Sequence, residues 1–102
     1  MLYKSTRGSS NAIPFSEVLL GGLAPDGGLY MPEYFPSMTL EQINEMEGLE
    51  YHELASKILF PFVEGEISES DFSELVEKTY RVFDIEDVVN LVELEKDQWV
   101  LQ

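Results

Sequence analysis

The amino-acid sequence predicts an α+β domain from three observations. The chain opens on a short alternating stretch, continues through four segments with helix-start chemistry or helical apolar spacing, and closes on two strand-like runs around a polar dipeptide. At 102 residues it can form one hydrophobic core, and no internal repeat, low-complexity segment or linker divides it, so residues 1–102 are expected to be a single domain. A 44% hydrophobic fraction with six Phe, five Tyr and one Trp supplies that core and excludes a disordered acidic tail.

Leu2 to Thr6 alternates as a short strand. Ser16 reads as a helix cap, with Phe15 before it and Leu20 in the first turns forming a hydrophobic staple, and Gly21 and Gly22 end that helix. The run from Gly22 to Pro32 then concentrates turn chemistry. Pro25 presets φ for the second position of a turn, Asp26 tolerates the conformation that follows, and Gly27 and Gly28 can adopt positive φ. Leu29-Tyr30-Met31 follows as a short buried strand closed by Pro32.

Thr39 and Gln42 spell a capping box, Met38 can staple to Ile43, and Gly48 is the expected stop. Tyr51, Leu54, Ala55, Ile58, Leu59 and Phe62 recur at intervals of three and four residues and predict a third helix, in which Pro61 removes the bond to the Lys57 carbonyl and kinks the last turn. Ile67-Ser68-Glu69-Ser70-Asp71-Phe72 opens a fourth, whose apolar face continues through Leu75, Val76, Tyr80 and Phe83 and whose early acids suit the helix dipole. Leu91 to Glu95 and Gln98 to Leu101 read as a hairpin around Lys96-Asp97, with Val92 and Leu94 facing Trp99 and Leu101. One small sheet is expected, formed by the N-terminal strand, the Leu29–Met31 strand and the C-terminal strands.

The net charge of −14 is uneven. Residues 1–32 hold Lys4, Arg7, Glu17 and Asp26 and are neutral, whereas the rest holds 18 acids against four bases. Such a field repels nucleic acid and anionic membranes. No apolar run approaches the roughly 20 residues that span a bilayer, no leader pattern opens the chain, and there are no cysteines for a disulfide or thiolate site. A cytoplasmic protein with neither nucleic acid nor membrane as partner is the expectation.

Few residues suggest chemistry. Gly22 and Gly27 have the spacing of a phosphate loop, but Gly28-Leu29 stands where Lys and Ser or Thr are needed, so a structural turn is the better reading. Ser5-Thr6-Arg7-Gly8 combines hydroxyls, a guanidinium and a glycine, which could grip a phosphate or carboxylate; from the segment alone a solvated strand end with Arg7 paired to a surface acid is the simpler reading. His52 is the single histidine, so neither a metal pair nor a Ser-His-Asp set is available, and it reads as an exposed helix residue beside the solvated Glu50 and Glu53. Tyr3, Tyr30 and Trp99 read as core or interface anchors.

Taken together, Tyr3-Lys4-Ser5-Thr6-Arg7-Gly8 and the Gly22–Pro32 run resemble the amino-terminal part of threonine synthase, where an S-T-R-G segment precedes a G-L-x-x-D-G-G-L-Y-x-P segment by a short helix. Order and spacing match, and the likeness extends to Leu91–Gln102. In that family a terminal strand like Trp99-Val100-Leu101-Gln102 is followed by a His-Gly-Pro-Thr segment and a Phe-Lys-Asp whose lysine carries pyridoxal phosphate; Lys4, Lys57, Lys78 and Lys96 all lie in other contexts. The resemblance therefore implies an amino-terminal domain without its catalytic domain, inactive alone, with no catalytic residue, metal or cofactor of its own. It implies a parent that uses pyridoxal phosphate to convert O-phospho-L-homoserine and water to L-threonine and phosphate.

By the same resemblance Ser5, Thr6 and Arg7 are candidate substrate-binding residues, with Asp26, Gly27 and Gly28 as a structural loop near the site. The implied partner is the catalytic domain of the same polypeptide, and an isolated fragment is expected to self-associate through uncovered Trp99, Val100 and Leu101. Two alternatives stay open: a free-standing acidic interaction module, and the corresponding domain of a related phospholyase with another product.

Overall fold

Strand β1 (Leu2–Ser5) is the middle of a three-stranded antiparallel sheet in a computed structural model that describes residues 1–9, 11–82 and 89–101. On one side lies β2 (Ile13–Pro14), with Leu2 opposite Pro14 and Tyr3 opposite Ile13. On the other lies β3 (Tyr30–Pro32), which sets Tyr3, Lys4 and Ser5 against Pro32, Met31 and Tyr30. The period of two buries Tyr3 and Ser5 and turns Leu2 and Lys4 outward. Lys4 Nζ meets Glu33 at 2.7 Å on that outer side.

The α+β class holds, but the strands divide into two sheets. Among the described residues β4 (Leu91–Glu95) and β5 (Gln98–Leu101) pair only with each other, and β2 takes the remaining place beside β1. A two-residue strand ending in proline carries no alternating pattern, and proline is tolerated there because β2 is an edge. Nor is the third strand buried: Leu29 precedes it at 61% exposure and Met31 is 42% exposed, since Met31 pairs with Lys4 on the outward side of the sheet.

Helix α1 (Phe15–Gly21) begins two positions earlier than expected, with Pro14 rather than Ser16 at its N-cap, and Ser16 lies inside it. Its cap comes from a distance: the Ser16 amide and hydroxyl donate to the Glu66 carboxylate at 2.6 and 3.2 Å. Gly22, at φ 71°, ends the helix by donating to the Val18 carbonyl. Helix α2 (Leu40–Asn44) starts on the expected capping box, with the Gln42 amide donating to Thr39 Oγ1 at 3.2 Å and the Thr39 amide to Gln42 Oε1 at 2.8 Å. It is shorter than expected. Tight i→i+3 bonds from Met46 and Glu47 unwind the chain before Gly48, which turns at φ 82°.

Helix α3 (Tyr51–Leu59) passes into a 3-10 turn, Phe60–Phe62, where Pro61 interrupts the helical bonding. The Glu50 amide donates to Glu53 Oε2 at 3.0 Å, so Glu53 does more than face solvent, and His52 is half-buried. Helix α4 (Glu69–Tyr80) is capped by Ser68, whose Oγ accepts from the Asp71 amide at 3.2 Å. The expected continuation to Phe83 lies outside the described residues.

Val63, Phe72 and Val76 form the core, with Phe15, Ala55, Phe60, Ile67 and Tyr80 packed around them. Tyr3 joins the sheet to this core: its hydroxyl donates to the Phe62 carbonyl at 2.7 Å and its ring lies 6.1 Å from that of Phe15. Burial pushes its phenol pKa up, with the Glu66 charge adding to the effect.

In the hairpin, Val92 opposes Val100, Leu91 opposes Leu101 and Glu93 opposes Trp99. A bulge between Glu93 and Glu95 inserts Leu94 as an extra residue, which reverses the expected facing of Val92 with Trp99 and Leu101. Trp99 is 53% exposed and is not a core anchor. The radius of gyration, 16.9 Å, exceeds the roughly 13 Å of a closed domain of this length.

Candidate functional site

Two turns meet at the end of β1. The first, Thr6 to Gly8, closes when the Gly8 amide donates to the Ser5 carbonyl at 3.0 Å, with Gly8 at φ 75°. The second runs from Ala24 to Gly28, closed by Gly27 N–H to the Ala24 carbonyl at 2.8 Å and Ala24 N–H to the Gly28 carbonyl at 3.0 Å. Thr6 and Leu29 stitch them together: the Thr6 amide donates to the Leu29 carbonyl at 2.8 Å, and the Leu29 amide to Thr6 Oγ1 at 3.0 Å.

The carboxylate of Asp26 sits between the turns. Oδ1 accepts from Ser5 Oγ at 2.6 Å and from the Gly28 amide at 2.9 Å, while Oδ2 accepts from the Ser9 amide at 3.1 Å. These donors hold its pKa below the ordinary carboxylate range, the Ser5 hydroxyl most and the Gly28 amide next, against an opposing desolvation. An anion held this way is a structural hub and a poor proton acceptor.

Gly27 and Gly28 are needed for different reasons. Gly27 takes the expected positive φ of 76°, but Gly28 does not. A Cβ on Gly28 would lie 2.1 Å from Ser5 Oγ, so this position excludes a side chain by space.

Ser5 is buried and its hydroxyl is engaged twice, donating to Asp26 and accepting the Arg7 amide at 3.1 Å. Arg7 itself is exposed, and its guanidinium donates from Nη1 to the Asp26 carbonyl at 3.1 Å. Among the described residues Arg7 forms no ion pair with a carboxylate. Among the described residues its charge acts on the Asp26 carboxylate without forming an ion pair, and most of the five guanidinium N–H groups remain available to an oxyanion. Beside the turns an open cleft of about 520 Å³ is lined by Ser9, Asn11, Ile13, Pro25, Asp26 and Tyr30.

The structure thus brings together all six candidates, Ser5, Thr6, Arg7, Asp26, Gly27 and Gly28. Sequence reasoning missed Ser9, which enters through its backbone amide, and Asn11, whose place on the cleft follows only from the strand pairing. Among the described residues no cluster of His, Cys, Asp or Glu could hold a metal ion, and no helix is long and apolar enough to cross a membrane.

Residues 2–80 match the family model described as the threonine synthase N terminus. The chain belongs to the threonine synthase N-terminal family. Threonine synthase from Pseudomonas aeruginosa is 50% identical over 102 residues, covering all of this chain and 22% of the relative. Threonine synthase-like 2 from Rattus norvegicus is 36% identical over 103 residues, again covering all of this chain and 21% of its own length. Among solved structures, the crystal structure of pyridoxal-phosphate-bound threonine synthase from Brucella melitensis superposes with a TM-score of 0.91 at 44% identity, over 99% of this chain and 22% of that one. The chain therefore spans about a fifth of the length of the threonine synthases it matches. The two segments that carry the family resemblance, Ser5–Gly8 and Gly22–Pro32, are the ones that Asp26 binds into a single structure.

Proposed function

We propose that residues 1–102 are one amino-terminal domain of a cytoplasmic, pyridoxal-phosphate-dependent lyase that converts O-phospho-L-homoserine and water to L-threonine and phosphate. The catalytic domain belongs to the same polypeptide, outside this chain. The match of this whole chain to a fifth of longer threonine synthases supports that reading, and favours it over a free-standing acidic module. The chain's own lysines do not fit a covalently held cofactor: all four are exposed, Lys4 is tied to Glu33 and Lys78 to Glu74. In the parent, the cofactor supplies the electron sink for the carbanion chemistry. No step of that chemistry is derived from this chain, which we read as inactive alone.

Its contribution is to pack against the catalytic domain and to present Arg7. The one observation that carries this role is a guanidinium fixed through a single donor to the Asp26 carbonyl, exposed and without a carboxylate partner among the described residues. Such a group binds a phosphate or carboxylate bidentately. Ser5 and Thr6 support it by holding the two turns, and Asp26, Gly27 and Gly28 set the surface against which it lies. In the full-length enzyme Arg7→Ala should lower kcat/KM for O-phospho-L-homoserine by about 1.5 to 3 kcal/mol, roughly ten- to 150-fold, with little change in the melting temperature. Unchanged kinetics would remove Arg7 from the site.

The likeness to threonine synthase-like 2 favours one second reading, a phospholyase of the same family with another product. Product identification by NMR after turnover of O-phospho-L-homoserine separates the two.

A further inference from the structure

We infer that the face carrying Leu23, Leu29, Met31 and Leu2 is the surface that docks on the catalytic domain, and that this docking is what positions Arg7. The inference rests on the proposal that a catalytic domain follows in the same polypeptide. Leu23 and Leu29 are each 61% exposed, and they flank the two ends of one turn, because Ala24 and Gly28 are hydrogen-bonded at 3.0 Å. Met31 and Leu2, at 42% and 44% exposure, extend the patch across the sheet: Met31 pairs with Lys4, the outward residue next but one after Leu2. A run of exposed leucines joined through main-chain bonds is apolar surface seeking a partner.

Charge selects this face for burial. Its charges are compensated: Lys4 and Glu33, on the outer side of the sheet with Leu2 and Met31, pair with each other at 2.7 Å, and the Asp26 carboxylate is satisfied internally by Ser5, Ser9 and Gly28. The remainder of the chain from Glu33 onward holds 18 acids and four bases and resists close approach of another acidic surface. A second copy of this chain would bring that same excess with it. The occupant that fits is therefore an apolar face of the catalytic domain, which accounts for most of the length of the relatives. The turn that separates Leu23 from Leu29 also bears the carbonyl that holds Arg7, so covering the two leucines fixes the guanidinium at the edge of the interface.

The chain has no cysteines, so single cysteines report burial at chosen positions. Leu23→Cys, Leu29→Cys and Ser73→Cys would be made separately in the full-length enzyme, the last on the exposed side of α4. Maleimide labelling would be followed by mass spectrometry of the peptides from residues 1–102. Labelling at positions 23 and 29 should be at least roughly ten-fold slower than at 73. Equal rates at both leucine positions in an active enzyme overturn the docking face while leaving the catalytic reading intact. Protection that vanishes on dilution assigns the face to a second copy and overturns it as well. A reading frame that ends at Gln102, or no turnover by the parental enzyme, refutes the underlying reading instead. If one leucine variant fails to fold, the other carries the comparison.

Discussion

Gly28→Ala is the sharpest test of the double turn. The added methyl would sit 2.1 Å from Ser5 Oγ, 3.0 Å from Asp26 Oδ1 and 3.1 Å from Thr6 Oγ1. Carbon and oxygen in ordinary contact need over an ångström more than the first of these, so Ser5 Oγ must retreat by roughly that much. It has little freedom to do so, because Ser5 is 7% exposed and its hydroxyl is held by Asp26 at 2.6 Å and by the Arg7 amide at 3.1 Å. Overpacking costs about 1 to 3 kcal/mol and a lost hydrogen bond about 1 more, so the expected destabilisation is about 2 to 4 kcal/mol. Gly21→Ala is the matched control: nothing lies within 4 Å of its Cβ, its φ is not positive, and it closes α1. There alanine should be neutral or stabilising by about 0.5 to 1 kcal/mol. Urea unfolding of the 102-residue chain measures both, and adding Ser5→Ala to Gly28→Ala should recover part of the loss because the colliding oxygen is gone. If Gly28→Ala and Gly21→Ala shift the midpoint alike, or the double variant is strictly additive, the steric account of Gly28 is refuted.

Thr39→Ala removes a side-chain acceptor from the start of α2 and should cost about 1 kcal/mol in urea unfolding, whereas Glu45→Ala, just past the helix end, should cost far less. Glu66→Ala strips α1 of its remote cap and should cost about 1 kcal/mol, with the loss concentrated in the amide-exchange protection of residues 15–21. Asp26 gives a pH signature. Its native pKa is depressed, so its contribution is complete above the ordinary carboxylate pKa of about 3.9 and is lost as pH falls through the lower native value. Melting temperatures of Asp26→Asn should therefore fall below those of the parent chain at neutral pH and converge with them in strong acid; parallel curves would contradict the assignment.

Local chemistry was legible and long-range chemistry was not. Thr39-x-x-Gln42, Ser68 with its downstream acids, and the Lys96-Asp97 hairpin all place their partners within a few residues, and the structure realises each of them. Ser16 looked like a cap because its sequence neighbours fit the motif, yet the acceptor that serves α1 comes from Glu66, 50 residues away. The bulge at Leu94 escaped for a related reason, since one inserted residue reverses which side chains share a face without altering the hydrophobic pattern that suggested the strands. At the site, turn chemistry and resemblance single out Ser5–Gly8 and Asp26–Gly28 separately. Their union through Asp26 Oδ1 and Oδ2 could be read only from coordinates, because hydrogen bonds spanning 21 and 17 residues leave no local pattern.

The bonds that tie the amino-terminal end to residues 62–66 also set an order of assembly. Met1 reaches the Glu64 carbonyl, Tyr3 the Phe62 carbonyl and Ser16 the Glu66 carboxylate, across 63, 59 and 50 residues. Helices α3 and α4, neighbours in sequence, can meet first through a short connection, while each of those three links must close a long loop. During synthesis the first thirty residues therefore wait: the sheet beside the Arg7 turn is built from residues 2–32, but it gains its anchor on the core only after the Phe60–Phe62 turn has left the ribosome. The segment made earliest is the one completed late, and a pause in translation before residue 62 would leave it exposed as an unanchored apolar strand.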